Sequence, residues 1–219
     1  MNRKLKFKIN IVNSSFYTFY SFFRDLIQWH KRGYAAHPPT FIKRILLIKN
    51  SLANSIWIET GTYIGRTAKF LGKYFPQVYT IEPDINLFKS VKKYLKKYKN
   101  IVVINETSEK ALEKLLSKKR GDVNFFLDAH AVSNNTTKTY IGSINNPLLN
   151  ELKIIQKKFH NLRNFRIFID DVDWCAIDFV KNHKNSHTKL DKIIDWCRNN
   201  NLSWIINCNM MIIKNRNIN

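Results

Sequence analysis

The chain has 219 residues, 44% hydrophobic and 13% aromatic, which suits one α/β domain with a sizeable core and excludes a disordered polyelectrolyte. Lys and Arg number 37 against 16 Asp and Glu, a formal charge of +21; this either attracts polyanions such as nucleic acid, anionic lipid or acidic glycan, or reflects the Lys-, Asn- and Ile-rich background of AT-rich coding. Cys175, Cys197 and Cys208 form no CxxC pair, no run of about 18 uncharged apolar residues occurs, and no signal peptide is visible, so the expectation is a cytoplasmic protein with reduced thiols.

Residues 1–55 form a basic and aromatic extension ahead of a domain at 56–219. Phe16, Tyr17, Phe19, Tyr20, Phe22 and Phe23, followed by Leu26, Ile27 and Trp29, predict an amphipathic helix. Its apolar face packs on the domain or on a second copy of the chain, or else serves as a membrane-surface contact or a lid. His37-Pro38-Pro39 breaks that helix, and Phe41–Lys49 reads as a short basic one.

From Ile56 onward strands alternate with helices. Strands are predicted at Ile56–Thr60, Val78–Glu82, Ile101–Asn105, Val123–Asp128, Phe165–Asp170, Ser203–Asn207 and Met210–Lys214. Helices are predicted at Thr67–Tyr74, Ile85–Tyr98, Ser108–Lys118 (capped by Thr107 or Ser108), Pro147–Phe159 and about Thr188–Asn200. This alternation means a Rossmann-like, doubly wound, mostly parallel sheet of seven strands with helices on both faces. Ligands of such sheets bind beyond the carboxyl ends of the strands, so the polar residues there carry the functional information.

The run Glu59-Thr60-Gly61-Thr62-Tyr63-Ile64-Gly65 joins the first strand to its helix. Gly61 and Gly65 permit tight backbone geometry and close ligand approach. The helix start suits a carboxylate or a phosphate. A carboxylate at Glu59 opposes a pyrophosphate and accepts from an ammonium group, which favours a zwitterionic ligand. Glu82 ends the second strand, where an acid can hold both hydroxyls of a ribose. The glycine spacing is GxxxG, so the GxGxxG turn of dinucleotide sites is missing and a nicotinamide-linked oxidoreductase is the weakest reading.

The segments ETGTYIGRTA (59–68), VYTIEPD (78–84), NETSEKAL (105–112), FFLDAH (125–130), NPLLNEL (146–152) and FIDDV (168–172) resemble, in order, a family of bacterial class I methyltransferases dependent on S-adenosylmethionine (SAM). The resemblance covers roughly residues 56–175, and the last two strands suit the antiparallel ending of that fold. It implies that Glu59, Gly61, Thr62 and Gly65 hold the methionine part of SAM and Glu82 its ribose. Glu106, Thr107 and Asp128 would complete the cofactor site. Tyr63 stands at the middle glycine of the commonest form of the motif, and Asn105 replaces the glycine of the third loop.

Asp128, His130, Asp170 and Asp171 lie at the ends of strands that neighbour each other in this fold. Carboxylates gathered at one point repel unless a cation or proton sits between them, and an oxygen-rich set suits Mg²⁺. The arrangement resembles metal-dependent O-methyltransferases. Accordingly Asp128, Asp170 and Asp171 are expected to bind a divalent ion, with Asp128 and His130 catalytic and His130 as general base. The plainer alternative has an aspartate capping a turn and His130 only positioning substrate. The loop Ala131–Asn145 closes over a hydroxylated substrate or is a surface loop. Trp174 lines the acceptor pocket or packs. His160, His183 and His187 read as solvated surface residues.

The expected function is O-methylation of a hydroxylated small molecule or glycan. Asp128-Ala129-His130 replaces the Asn/Asp-Pro-Pro-aromatic motif of enzymes that methylate base amines, which leaves ribose methylation as the nucleic-acid alternative. A non-catalytic SAM-fold module that binds a partner or membrane is the third reading. A homodimer through the aromatic segment is also expected.

Overall fold

Apolar residues alternate along each central strand, and the two sets bury against different helices. In the computed structural model, residues 15–34, 38–128, 133–134, 137–138, 147–175 and 190–215 are described. The helices are α1 (Ser15–Lys31), α2 (Thr40–Asn50), α3 (Arg66–Leu71), α4 (Ile85–Leu95), α5 (Ser108–Lys118), α6 (Leu148–Lys157) and α7 (Leu190–Asn199). The strands are β1 (Ile56–Thr60), β2 (Gln77–Ile81), β3 (Ile101–Ile104), β4 (Gly121–Leu127), β5 (Ser133–Asn134), β6 (Thr137–Lys138), β7 (Leu162–Ile169), β8 (Leu202–Asn207) and β9 (Met210–Asn215).

Seven strands form one sheet in the order β3-β2-β1-β4-β7-β9-β8, while β5 and β6 pair separately within the segment read as a loop. Every pairing from β3 across to β7 is parallel, and β9 runs antiparallel to both β7 and β8. The expected doubly wound sheet with an antiparallel last strand is therefore present. Its switch point lies between β1 and β4, where the chain stops building towards β3 and starts building towards β8.

One face of the sheet presents Ile58, Phe125, Ile167 and Ile213 to α5, α6 and α7. The other presents Trp57, Phe126, Phe168 and Ile212 to α2, α3 and α4, with Trp57 stacked on Phe168 at 5.2 Å. Leu46 and Leu47 of α2 are buried in that second layer. By contrast α1 meets α2 through Phe22 and Phe41, rings 4.6 Å apart, and leaves Phe19, Tyr20, Phe23 and Ile27 exposed.

The elements differ from the sequence reading mainly at their ends. The helix after the glycine turn starts one residue earlier and stops at Leu71 rather than Tyr74. There Gly72 lies so close to Ile101 that an added Cβ would stand 2.6 Å from its Cδ1. Strand β7 begins at Leu162, three residues before the expected Phe165, and β4 begins at Gly121, ahead of a register shift between Gly121 and Val123. Thr107 occupies the N-cap of α5 but makes no side-chain cap bond. A working cap occurs instead at α4, where Asp84 accepts from the N–H groups of Asn86 and Leu87, both at 2.8 Å.

Candidate active site

The parallel register brings the strand ends to one line. Thr60 pairs with Ile81 on one side and with Leu127 on the other, and Leu127 pairs with Ile169. The next residue on each strand, Gly61, Glu82, Asp128 and Asp170, therefore stands at the same level above the switch point. Backbone bonds continue the ladder by one rung: Asp128 N–H donates to Thr60 O and Asp170 N–H to Leu127 O, both at 3.2 Å.

On the β1–β2 side the carboxylates are held by neutral donors. Glu59 is buried, and Thr80 Oγ1 donates to its Oε2 at 2.5 Å. With that proton committed, Thr62 donates to Thr80 at 2.6 Å, which makes a relay of two buried hydroxyls onto one carboxyl. Burial pushes Glu59 up to about 8; the Thr80 bond opposes this, and the nearby Asp128 and Glu82 add to it. Glu82 Oε2 accepts from Tyr63 N–H at 2.9 Å and Oε1 from Asp84 N–H at 3.0 Å. Burial lifts Glu82 to about 7 against the pull of those amides. The hydroxyl of Thr60, also buried, has no hydrogen-bond partner. This donor set fits SAM: each Glu82 oxygen keeps a lone pair for a ribose hydroxyl, and Glu59 keeps acceptor capacity for an ammonium.

The turn itself is left-handed at Gly61 (φ 84°), Tyr63 (48°) and Gly65 (75°). At Gly65 the helix behind adds to the demand of the left-handed backbone: an added Cβ would stand 3.0 Å from Val91 Cγ1 and 3.2 Å from Leu95 Cδ1 of α4. Gly61 and Thr62 donate their N–H groups to Ile81 O, both at 3.1 Å. Asn105, at the position of the missing glycine, donates to Glu82 O at 2.8 Å and to Pro83 O at 3.1 Å, so it braces the end of β2. Glu106, next to it, accepts from Thr107 N–H at 3.1 Å and from Lys114 at 3.4 Å, contacts that hold its carboxyl below the usual range.

On the β4–β7 side the carboxylates meet a cation. Oxygens of Asp128, Asp170 and Asp171 lie within 4.8 Å of one another, the convergence the sequence predicts. Lys43 of α2 reaches them from across the fold. Its Nζ lies 2.8 Å from Asp170 Oδ2, 2.7 Å from Asp170 Oδ1 and 2.8 Å from Asp171 Oδ1. Burial lifts Asp170 to about 7, the charge of Asp128 adds to it, and Lys43 opposes it. Burial pulls Lys43 down, but Asp170 and Asp171 outweigh it and hold the ammonium above the ordinary lysine range. Sequence reading missed Lys43; the available signal was its position four residues before the buried Leu47, on the inner face of a short helix.

Asp171 is left-handed (φ 51°), a conformation uncommon outside glycine. The β8–β9 turn braces it: Val172 N–H donates to Asn209 O at 3.1 Å, and Asn209 Nδ2 donates to Asp173 Oδ1 at 2.8 Å. Mg²⁺ binds oxygen at about 2.0–2.1 Å in a near-octahedral shell. Here Lys43 already holds both oxygens of Asp170 and Oδ1 of Asp171, so a metal at those oxygens would have to displace it. His130, His183, His187 and most of the 131–145 segment lie outside the described residues, as does the Trp174 side chain.

Beside the site, a cavity of about 490 Å³ opens between α1, α2 and α3, lined by Phe22, Phe41, Phe70, Arg44, Arg66 and Lys69. Arg44 lies 4.9 Å over the Phe70 ring, and burial together with the charge of Arg66 holds it below the ordinary arginine range. No helix among the described residues is long and apolar enough to cross a membrane.

No family model matches the chain, and no curated protein matches it in sequence. Solved structures do match in shape. The Streptococcus mutans protein SMU.1697c, named for methyltransferase activity and determined with SAH bound, superposes with a TM-score of 0.50 at 15% identity, over 82% of this chain and 99% of that one. The fold is that of the class I methyltransferases. A protein of Clostridium thermocellum named for rRNA methylation matches at TM-score 0.52 and 10% identity, over 82% of this chain and 97% of its own. The N-methyltransferase NodS of Bradyrhizobium japonicum WM9 matches at 0.51 and 10%, over 80% and 93%.

Proposed function

We propose that the protein is a SAM-dependent methyltransferase that acts on a hydroxyl of a small molecule or glycan. The observation that carries this reading is the line of acidic residues at the switch point of the sheet: Glu82, Asp128 and Asp170 one step beyond the paired ends of β2, β4 and β7, and Glu59 one residue before the end of β1. The SAH in the Streptococcus mutans neighbour supports the choice of cofactor. SAM brings a sulfonium methyl that an oxygen nucleophile can displace.

In this reading Glu59 binds the ammonium of the methionine part, and the turn from Gly61 through Thr62 to Gly65 approaches it closely. Glu82 holds the ribose, with Glu106 and Thr107 near the base. A ligand ammonium beside Glu59 stabilises its ionised form, so cofactor binding near neutral pH releases a proton from a carboxyl that burial otherwise keeps protonated. Asp128, Asp170 and Asp171 then face the acceptor hydroxyl, with Asp128 closest to the cofactor side and His130 as general base. Rate enhancement comes chiefly from holding the nucleophile in line with the methyl group.

Calorimetric titration with SAM, and separately with NAD, tests this. SAM binding that is lost in Glu82→Ala is the expected result; binding of NAD alone, or of neither, sinks the reading.

The basic cavity favours a second reading, in which the acceptor is a ribose hydroxyl of RNA. Arg44, Arg66 and Lys69 with Phe70 offer cations and rings to a phosphate-bearing strand. RNA binding that weakens steeply with salt, and weakens further in Arg44→Ala, would favour it over a glycan.

A further inference from the structure

We propose that Lys43 is the resident cation of the acidic cluster, in the place where a divalent ion would sit, so that the site works without bound metal and helix α2 is part of it. The catalytic role rests on the methyltransferase reading; the occupancy does not.

The geometry is specific. One ammonium lies within 2.8 Å of both oxygens of Asp170 and one of Asp171, two of the three residues whose spacing otherwise suits a metal. Those oxygens cannot at the same time fill the shell of a small divalent ion. Successive residues of an extended chain point to opposite sides. Asp170 and Asp171 converge on the same Nζ because Asp171 turns left-handed, and the turn at Asn209 holds it there. That conformation costs energy, so the fold maintains it against a preference of its own. From the other side Leu46 and Leu47, one turn further along α2, are buried against the sheet, which aims Lys43 at the strand ends. The lysine side chain is 19% exposed and that of Asp170 7%, so the pair closes the floor of the site rather than decorating its rim.

Lys43 is thus a positioning residue. It bridges two of the three clustered carboxylates, offsets one of their charges and fixes their direction, and it places positive charge near the point where an acceptor oxygen loses its proton. Removing it takes the lysine charge away from Asp170 and Asp171 and opens the oxygens it holds to a metal.

Mn²⁺ binding, read by electron paramagnetic resonance on the chelator-treated full chain, tests this apart from any activity. Wild type is expected to leave the signal of free Mn²⁺ unchanged at millimolar metal. Lys43→Ala should bind Mn²⁺ at least about tenfold more tightly than wild type, Lys43→Ala/Asp170→Asn should lose that gain, and Lys43→Arg should behave as wild type. Lys43→Met, which keeps the aliphatic stem, replaces the alanine variant if that does not fold. Wild-type Mn²⁺ binding abolished by Asp170→Asn overturns the proposal, as does a folded Lys43→Ala or Lys43→Met that gains no metal. SAM calorimetry on the same samples separates the two ideas, since absent SAM binding breaks the methyltransferase reading and leaves the metal result standing.

Discussion

The two halves of the site keep their carboxylates by different means. At the ends of β1 and β2, Glu59 is held by the Thr80 hydroxyl, itself bonded to that of Thr62, and Glu82 by two backbone amides, all neutral. Beyond β4 and β7, Asp170 and Asp171 are satisfied by a full charge brought in on a helix 127 residues away in sequence. The first half is a place where a carboxyl can hold a proton until a cationic ligand arrives. The second already holds a resident cation against its carboxylates. The contrast predicts that steric changes will hurt the first half most, while pH and salt will discriminate between the two.

The largest effect is expected at Gly65. Gly65→Val forces a branched side chain into a left-handed position facing Val91 and Leu95, and should cost about 3 kcal/mol or more in urea unfolding. Adding Val91→Ala should recover part of the loss; no recovery would mean that the backbone alone makes the demand. Next comes Lys43→Ala, which should cost about 2–3 kcal/mol at pH 8, less than a fully buried pair because water partly screens it. Its penalty should shrink at pH 5, where Asp170, lifted to about 7, has taken up its proton and no longer needs a counter-charge. A penalty that does not change with pH would break the charge half of the comparison.

Glu59→Gln follows. Glu59 is raised from 4.5 to about 8 in the fold, so folded chains keep a proton that unfolded chains have already lost. Its contribution to stability is full below pH 4.5 and is lost as pH rises towards 8. The glutamine variant should therefore have the flatter pH–stability profile and gain on wild type as pH rises towards 8. The smallest effect is expected from Thr80→Val, about 1 kcal/mol. Removing the hydroxyl that favours the ionised form should also move the Glu59 titration, followed by side-chain carboxyl NMR, further up.

The order of strands and helices was readable in the sequence because each element carries its own period and its own punctuation, as in the apolar runs of β1 and β4 and the glycine turn between β1 and α3. The β1–β2 half of the site was readable for a related reason: Glu59 and Glu82 stand at the ends of consecutive strands. Thr80 was missed because a polar residue inside an apolar strand reads as an interruption, until its partner on the neighbouring strand is known. Lys43 was missed because among 37 basic residues a single functional one has no compositional mark. The local reading found the convergence of the aspartates but not the lysine beside them, which tertiary packing of α2 brings in. Part of the reason for Gly65 was equally non-local, since α4 packs against the position of its missing Cβ.

The ion pair between α2 and the end of β7 also dates the completion of the site during folding. Closing a loop across 127 residues in an open chain costs roughly 4 kcal/mol of configurational entropy, more than a partly screened ion pair returns. The contact therefore follows the sheet, which shortens the gap by first drawing β1, β4 and β7 side by side. A chain emerging from the ribosome makes Lys43 early and waits for Asp170, so the β1–β2 half can be formed while the β4–β7 half is still unfinished.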